Sequence, residues 1–315
     1  MCGKQRVASI ATDDQQSSSI SGASCGENLY SPYLPALYYR AKVRTSPPMP
    51  PIKHRDWYDT PLYYDIIFDD GTQQEADFLE AAFSKHGDGK DRRLLEPACG
   101  SGRLALEMAR RGWQVSGFDG NANMIAFAKQ RIDTAGYKAR LWEDWMQSFK
   151  LPKGDKGGFD MAHCLVSTFK YLPTEKDAAE CLQRIAAALR PGGLFFLGLH
   201  LTDYEREVPE HERWVACRGP VKVVCNTRTW PADHRTRREE LRTRLQITDR
   251  GRQHLQETRW QFRTYDAAQL KRLLRKAPEL ELIECYDFTY DLNEPRVLDD
   301  RYADVLLVLA NRPKS

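Results

Sequence analysis

The sequence predicts an α/β fold. It is a doubly wound, seven-stranded sheet with an antiparallel last strand, a small antiparallel sheet inserted after strand five, and a helical lid on the N-terminal side. Three observations carry this reading. Residues 91–200 alternate short apolar runs with helical periods, opening on a strand–turn–helix unit at Leu94-Leu95-Glu96-Pro97-Ala98-Cys99-Gly100-Ser101-Gly102. Residues 205–265 switch to period-two alternation broken by turn signals, Arg218-Gly219-Pro220 and Asp249-Arg250-Gly251 among them. The apolar runs 280–286 and 303–309 are joined by a short segment with no helical period, so they pair as a hairpin.

Composition bounds the function. The 315 residues suffice for one large or two small domains, and 29% charged with 41% hydrophobic residues reads as globular. A net charge of +3 is slight for this length and gives no general case for nucleic acid or a membrane as partner. No apolar run approaches the roughly 20 residues of a spanning helix, and the N-terminus lacks a signal-peptide core, which points to the cytoplasm. The eight cysteines are scattered without a C-x-x-C pair and read as reduced thiols, although Cys217 and Cys225 could bridge a hairpin. The histidines show no metal-ligand spacing, so no metal is expected.

Each element follows in chain order. Residues 1–51 are rich in Ser, Gln, Pro and Tyr and lack any period, as a disordered tail would, and Met49 could stand near the true start. Residues 52–90 form the lid: an aromatic-dense stretch, Asp56 to Phe68, then a helix from Thr72 to Phe83 with Phe78, Leu79, Ala82 and Phe83 inward. The core, 91–202, runs as strand 91–95, helix 104–111 stopped by Gly112, and strand 113–118 ending at Asp119. Helix 121–134, strand 137–142 and strand 158–165 come next, then helix 175–189 capped by Thr174. Residues 193–200 are almost continuously apolar, as a central strand buried on both faces should be. Four strands of the insert (203–265) and a helix capped by Asp266 lead to the last two strands, which complete the core within 266–315. Arginines of the insert (Arg235, Arg237, Arg238, Arg242, Arg244) interleave with Glu239 and Glu240, which favours a solvated strand face over RNA phosphate contacts.

The turn at Gly100-x-Gly102-x-x-Ala105 fits a dinucleotide fingerprint, with Asp119 at the right distance. Glu96 argues against that reading. A dinucleotide places pyrophosphate over the helix N-terminus, where a carboxylate would repel it. A ligand bearing an ammonium and no phosphate would instead be drawn to the charge.

Glu96 to Gly102, Phe118-Asp119, Phe159-Asp160-Met161-Ala162 and Leu189-Arg190-Pro191-Gly192-Gly193 together resemble the motifs of class I S-adenosylmethionine (SAM)-dependent methyltransferases, in order and spacing. Ala98 departs from the family, which carries its first glycine there. The resemblance implies a Rossmann-like core, SAM as cofactor and a small-molecule methyl acceptor with an N or O nucleophile. It implies that Glu96 meets the methionine ammonium, that Ala98, Gly100 and Gly102 give backbone clearance, and that Asp119 holds the ribose. It places Asp144 (Glu143 as alternate) on the adenine amino group, Trp145 on the ring, and Asn123, Met124 and Leu165 around the adenosine. Tyr64 falls beside the transferred methyl group, with Tyr58 second. Ser167, Thr168 and Phe169 follow strand four at its carboxyl end, where open α/β sheets bind ligands. His200 ends strand five and is the candidate proton acceptor, whereas His163 reads as a core histidine inside strand four. A dinucleotide oxidoreductase, an RNA methyltransferase and a non-catalytic SAM-binding protein stay as alternatives, and the oligomeric state, a homodimer included, stays open.

Overall fold

The computed structural model describes residues 50–89, 91–155 and 157–312. The expected tail therefore lies outside the described residues, apart from Pro50 and Pro51. The lid segment holds β1 (Ile52–His54), α1 (Pro61–Phe68) and α2 (Thr72–His86). The core follows as β2 (Arg93–Pro97), α3 (Arg103–Arg110), β3 (Gln114–Asp119), α4 (Ala122–Thr134), β4 (Ala139–Glu143), β5 (Phe159–Cys164), α5 (Glu175–Ala188) and β6 (Leu189–His200). Next come β7 (Glu210–Arg218), β8 (Val221–Thr229), β9 (Arg238–Asp249) and β10 (Arg252–Arg263), then α6 (Ala267–Leu274), β11 (Leu280–Tyr286) and β12 (Asp304–Asn311).

The seven-stranded sheet has the order β11-β12-β6-β5-β2-β3-β4. β2 pairs in parallel with β3 and β5, and β5 with β6. β12 is antiparallel to both β6 and β11, as the missing crossover helix predicts. Side-chain alternation makes the sheet two-faced. Leu94, Leu194, Phe196 and Leu306 pack one face with α2, α3 and α4, while Leu95, Phe195, Leu197 and Leu307 pack the other with α5 and α6. The predicted helix starts hold: Asn121, Thr174 and Asp266 each accept backbone N–H groups at a helix N-terminus, and Asp266 with Gln269 forms a full capping box.

β6 begins at Leu189 and carries the Pro-Gly-Gly turn as a bulge, because its register with β5 shifts between Phe159 and Met161. The second sheet has the order β1-β10-β9-β8-β7, and its four long strands are the expected antiparallel insert. β1 was not expected. It adds in parallel to β10, pairing Ile52 with Leu255, and its three residues are all exposed, so no apolar alternation marks it. The insert packs on the lid through Val223, Cys225, Leu245 and Ile247 against Trp57, Ile66 and Ile67. It thereby becomes a roof over the carboxyl end of the core sheet. Cys217 and Cys225 are not bridged to each other; Cys217 is exposed and Cys225 buried.

Candidate active site

The site starts at the turn after β2. Ala98, Gly100 and Gly102 have φ of +52°, +53° and +70°. At Gly102 a Cβ would lie 2.8 Å from that of Ala128, so only glycine lets α3 pack this closely on α4. Ala98 holds the same left-handed conformation with a Cβ, at a cost of roughly 1–2 kcal/mol. Asp119, at the tip of β3, braces the turn: Oδ2 accepts from the Gly100 N–H at 2.9 Å and Oδ1 from the Asn121 N–H at 2.9 Å. Burial raises its carboxyl above the usual range.

Glu96 is 6% exposed, and its Oε2 is buried with no hydrogen-bond partner. Desolvation pushes its carboxyl up to about 8, with Arg103 opposing the shift and Glu75 and Asp119 adding to it. His163, in β5, is equally buried, and its Nε2 also lacks a partner. Burial and Arg103 push its imidazole down to about 3, so it is neutral, as a core histidine inside a strand should be. These groups line a narrow chamber with the Pro97–Ser101 turn, Leu165 and the lid residues Tyr64 and Phe68.

Other expected residues cluster around the turn. Met124 is fully buried on α4, and its N–H donates to Asn121 Oδ1. The Asn123 amide donates to Asp59 of the lid at 3.2 Å. Asp144 accepts from the N–H groups of Trp145 and Lys150 at 2.8 and 2.9 Å, which shapes the loop after β4. Trp145 is 60% exposed, and its ring lies over Gly120, where a Cβ would come within 2.8 Å. Glu143 is exposed at the end of β4.

A second cavity of about 680 Å³ lies between the carboxyl end of the core sheet and the roof. Tyr64, Phe68, Val166 and Thr168 belong to the walls of both spaces, so the two meet there. Tyr58 also lines the cavity and donates to the Tyr171 hydroxyl at 2.8 Å, and burial raises both phenols. Tyr64 is raised too, burial first. Val166 and Ser167 hold φ of +57° and +62°, and such strain in a β-branched residue at a chamber wall is a mark of functional sites. The Ser167 hydroxyl accepts from the His200 N–H at 2.9 Å, joining the ends of β5 and β6. The His200 ring lines the cavity, edge-on to Phe288 at 5.1 Å.

Phe169 requires a correction. It is fully buried in the core beside Tyr265 and is not part of the cavity wall, because the short helical turn Thr168–Tyr171 points it inward. Its neighbour Lys170 faces the cavity instead and pairs with Glu239 of β9 at 2.6 Å, both side chains being under 10% exposed. Glu239 is therefore no part of a solvated face. The other insert charges are mostly paired: Arg244 and Arg259 hold Glu257, and Arg237 holds Glu175. Sequence reasoning missed Trp214, Trp260 and Phe262 on the cavity wall. Their period-two spacing was visible, but it did not say which face meets the cavity.

A methyltransferase-domain family model matches residues 94–193. The chain is 33% identical over 123 residues to glycine N-methyltransferase of Rattus norvegicus, covering 36% of this chain and 41% of that protein. The chain spans about half the length of the curated relatives it matches. In fold it is similar to an S-adenosylmethionine-dependent methyltransferase from Clostridium acetobutylicum ATCC 824 (TM-score 0.65, 14% identity, 82% of this chain and all of that one). It is also similar to the sugar N-methyltransferase KedS8 from Streptoalloteichus sp ATCC 53650 (TM-score 0.60, 17% identity, 93% of this chain and all of that one). Residues 94–193 thus match a methyltransferase domain, and the fold is similar to that of a protein named as S-adenosylmethionine-dependent, which makes SAM the cofactor to set against the site. The residues present fit that cofactor. The partnerless Glu96 Oε2 suits an ammonium, and the left-handed turn lets a ligand approach the backbone. Among the described residues no helix is long and apolar enough to cross a membrane.

Proposed function

We propose that this chain transfers a methyl group from SAM to the nitrogen of a small-molecule amine held in the cavity under the roof. The observation that carries the reading is the shared wall at Tyr64, Phe68, Val166 and Thr168, where the Glu96 chamber opens onto the cavity. An amine is favoured over an alcohol because the cavity wall holds eight carboxylates against two cations, Lys170 and Arg206. The relatives named for glycine and sugar nitrogen support the same choice.

When bound, SAM supplies a methyl group activated by its sulfonium, ready for in-line displacement. The chain's own residues then have to align and desolvate, which can supply up to roughly 7–11 kcal/mol of a barrier. Glu96 takes the methionine ammonium, Asp119 the ribose hydroxyls, and Asp144 with Trp145 the adenine, with Asn123, Met124 and Leu165 around the adenosine. Ala98, Gly100 and Gly102 leave the backbone open to the cofactor. Tyr64 covers the methyl side, and Tyr58, Ser167 and Thr168 hold the acceptor against the shared wall. The wall carboxylates draw in the protonated amine, and His200 takes the proton that the nitrogen must lose before it can attack.

A screen of small amines and alcohols with methyl-labelled SAM tests this. Label should pass to primary or secondary amines and be lost in His200→Ala. Transfer confined to alcohols, or to RNA, would contradict the reading.

A further inference from the structure

α1 carries two stripes four residues apart. Tyr64 and Phe68 face the chambers. Asp65 and Asp69, one position on, meet α4 and the roof instead. Asp65 is 1% exposed. Its Oδ1 accepts from the Ser101 hydroxyl at 2.7 Å, inside the Gly100-Ser101-Gly102 turn, and pairs with Arg131 of α4. Its Oδ2 accepts from Arg218, the last residue of β7, at 2.6 Å. Asp69 closes the group by pairing with Arg131 at 2.5 Å and Arg218 at 3.1 Å. Two carboxylates and two guanidiniums balance, and the partners of Asp65 come from three layers: turn, core helix and roof. A buried carboxylate keeps its place only while its partners stay. Because Tyr64 precedes Asp65 on the same helix, a rotation of α1 that frees Asp65 carries Tyr64 away from Gly100, where the ring now lies 3.7 Å from the position of a Cβ.

We propose that Asp65 is a positioning residue that latches the lid, fixing Tyr64 over the cofactor turn and coupling cofactor binding to the roof through Arg218. The coupling half rests on the reading of this turn as the SAM site. Arg218 is not among the residues of the Glu96 chamber, so a cofactor effect of its loss must travel through the latch.

The test uses the full chain as wild type, Asp65→Asn, Arg218→Gln, Arg218→Lys and Asp119→Ala. SAM affinity is measured by calorimetry, melting by scanning calorimetry, and amide exchange over residues 98–102 in the ligand-free chain. Arg218→Gln and Asp65→Asn should each weaken SAM binding by about tenfold, within the usual range of coupling between sites, and speed exchange over the turn. Arg218→Lys should recover part of both. Unchanged SAM affinity and exchange in Arg218→Gln, with a lowered melting temperature alone, would reduce the network to a structural one and overturn the proposal. If Asp119→Ala and wild type bound SAM equally, the site reading would fall, and the exchange data would still judge the latch.

Discussion

Burial does two things to Glu96. It strips water from the carboxylate, and it leaves Oε2 aimed at a chamber with nothing to accept from. The group then holds a proton up to about pH 8 in the ligand-free fold, among Arg103, Glu75 and Asp119. In the role proposed for Glu96, an ammonium arriving there would favour the ionised form, and SAM binding would release that proton. The sign follows: below about pH 8 the proton must be removed first, and affinity falls by up to about tenfold per pH unit as pH drops. Calorimetry from pH 6 to 8 should show SAM affinity rising with pH, with proton release visible as a buffer-dependent heat, and affinity should fall again at higher pH as the ligand's own α-ammonium, which ordinarily titrates at about pH 8, loses its proton. Glu96→Gln should bind weakly at every pH with no such slope, and a slope kept in that variant would assign the proton elsewhere. Stability of the ligand-free chain runs the other way. The folded value lies above the ordinary 4.5, so the fold keeps a proton that the unfolded chain sheds, and this contribution is lost as pH rises through that window. That Glu96, Asp119 and the glycines meet at one turn was legible because their spacing from a strand end is local. Phe169 was not: whether a residue on a short helical turn faces core or cavity is decided by what packs around it, here Tyr265.

Between elements, the roof is tied to the core by the Lys170–Glu239 pair, with Arg206 a further 3.8 Å contact to the same carboxylate. Removing one member of a buried pair strands the other charge, at about 3–5 kcal/mol, whereas replacing both by apolar groups of similar size is often neutral. Denaturant unfolding should therefore show Lys170→Met strongly destabilised and Lys170→Met with Glu239→Leu close to wild type. A double variant no better than the single one would mean that Arg206 had become the stranded partner. The strands and helices themselves were largely readable, since periods of two and 3.6 show in any single segment. β1 was not, because a three-residue exposed strand has no pattern and exists through its hydrogen bonds to β10. The Lys170–Glu239 pairing was equally hidden, since the partners lie 69 residues apart and meet only once the roof folds back.

Across the whole molecule, one geometry organises the rest. A doubly wound sheet brings the ends of β2, β3, β5 and β6 to one edge, and the lid and roof enclose that edge from two directions. The antiparallel β12 and the carboxylate before the Gly turn both separate this sheet from one built to hold a pyrophosphate. The most direct measurement is a calorimetric titration of the chain with SAM and, separately, with NAD, repeated on Asp119→Ala. The account predicts one SAM per chain, no heat with NAD, and a loss of most SAM affinity in Asp119→Ala while its melting transition persists. Binding of NAD in place of SAM, or SAM affinity untouched by Asp119→Ala, would contradict it.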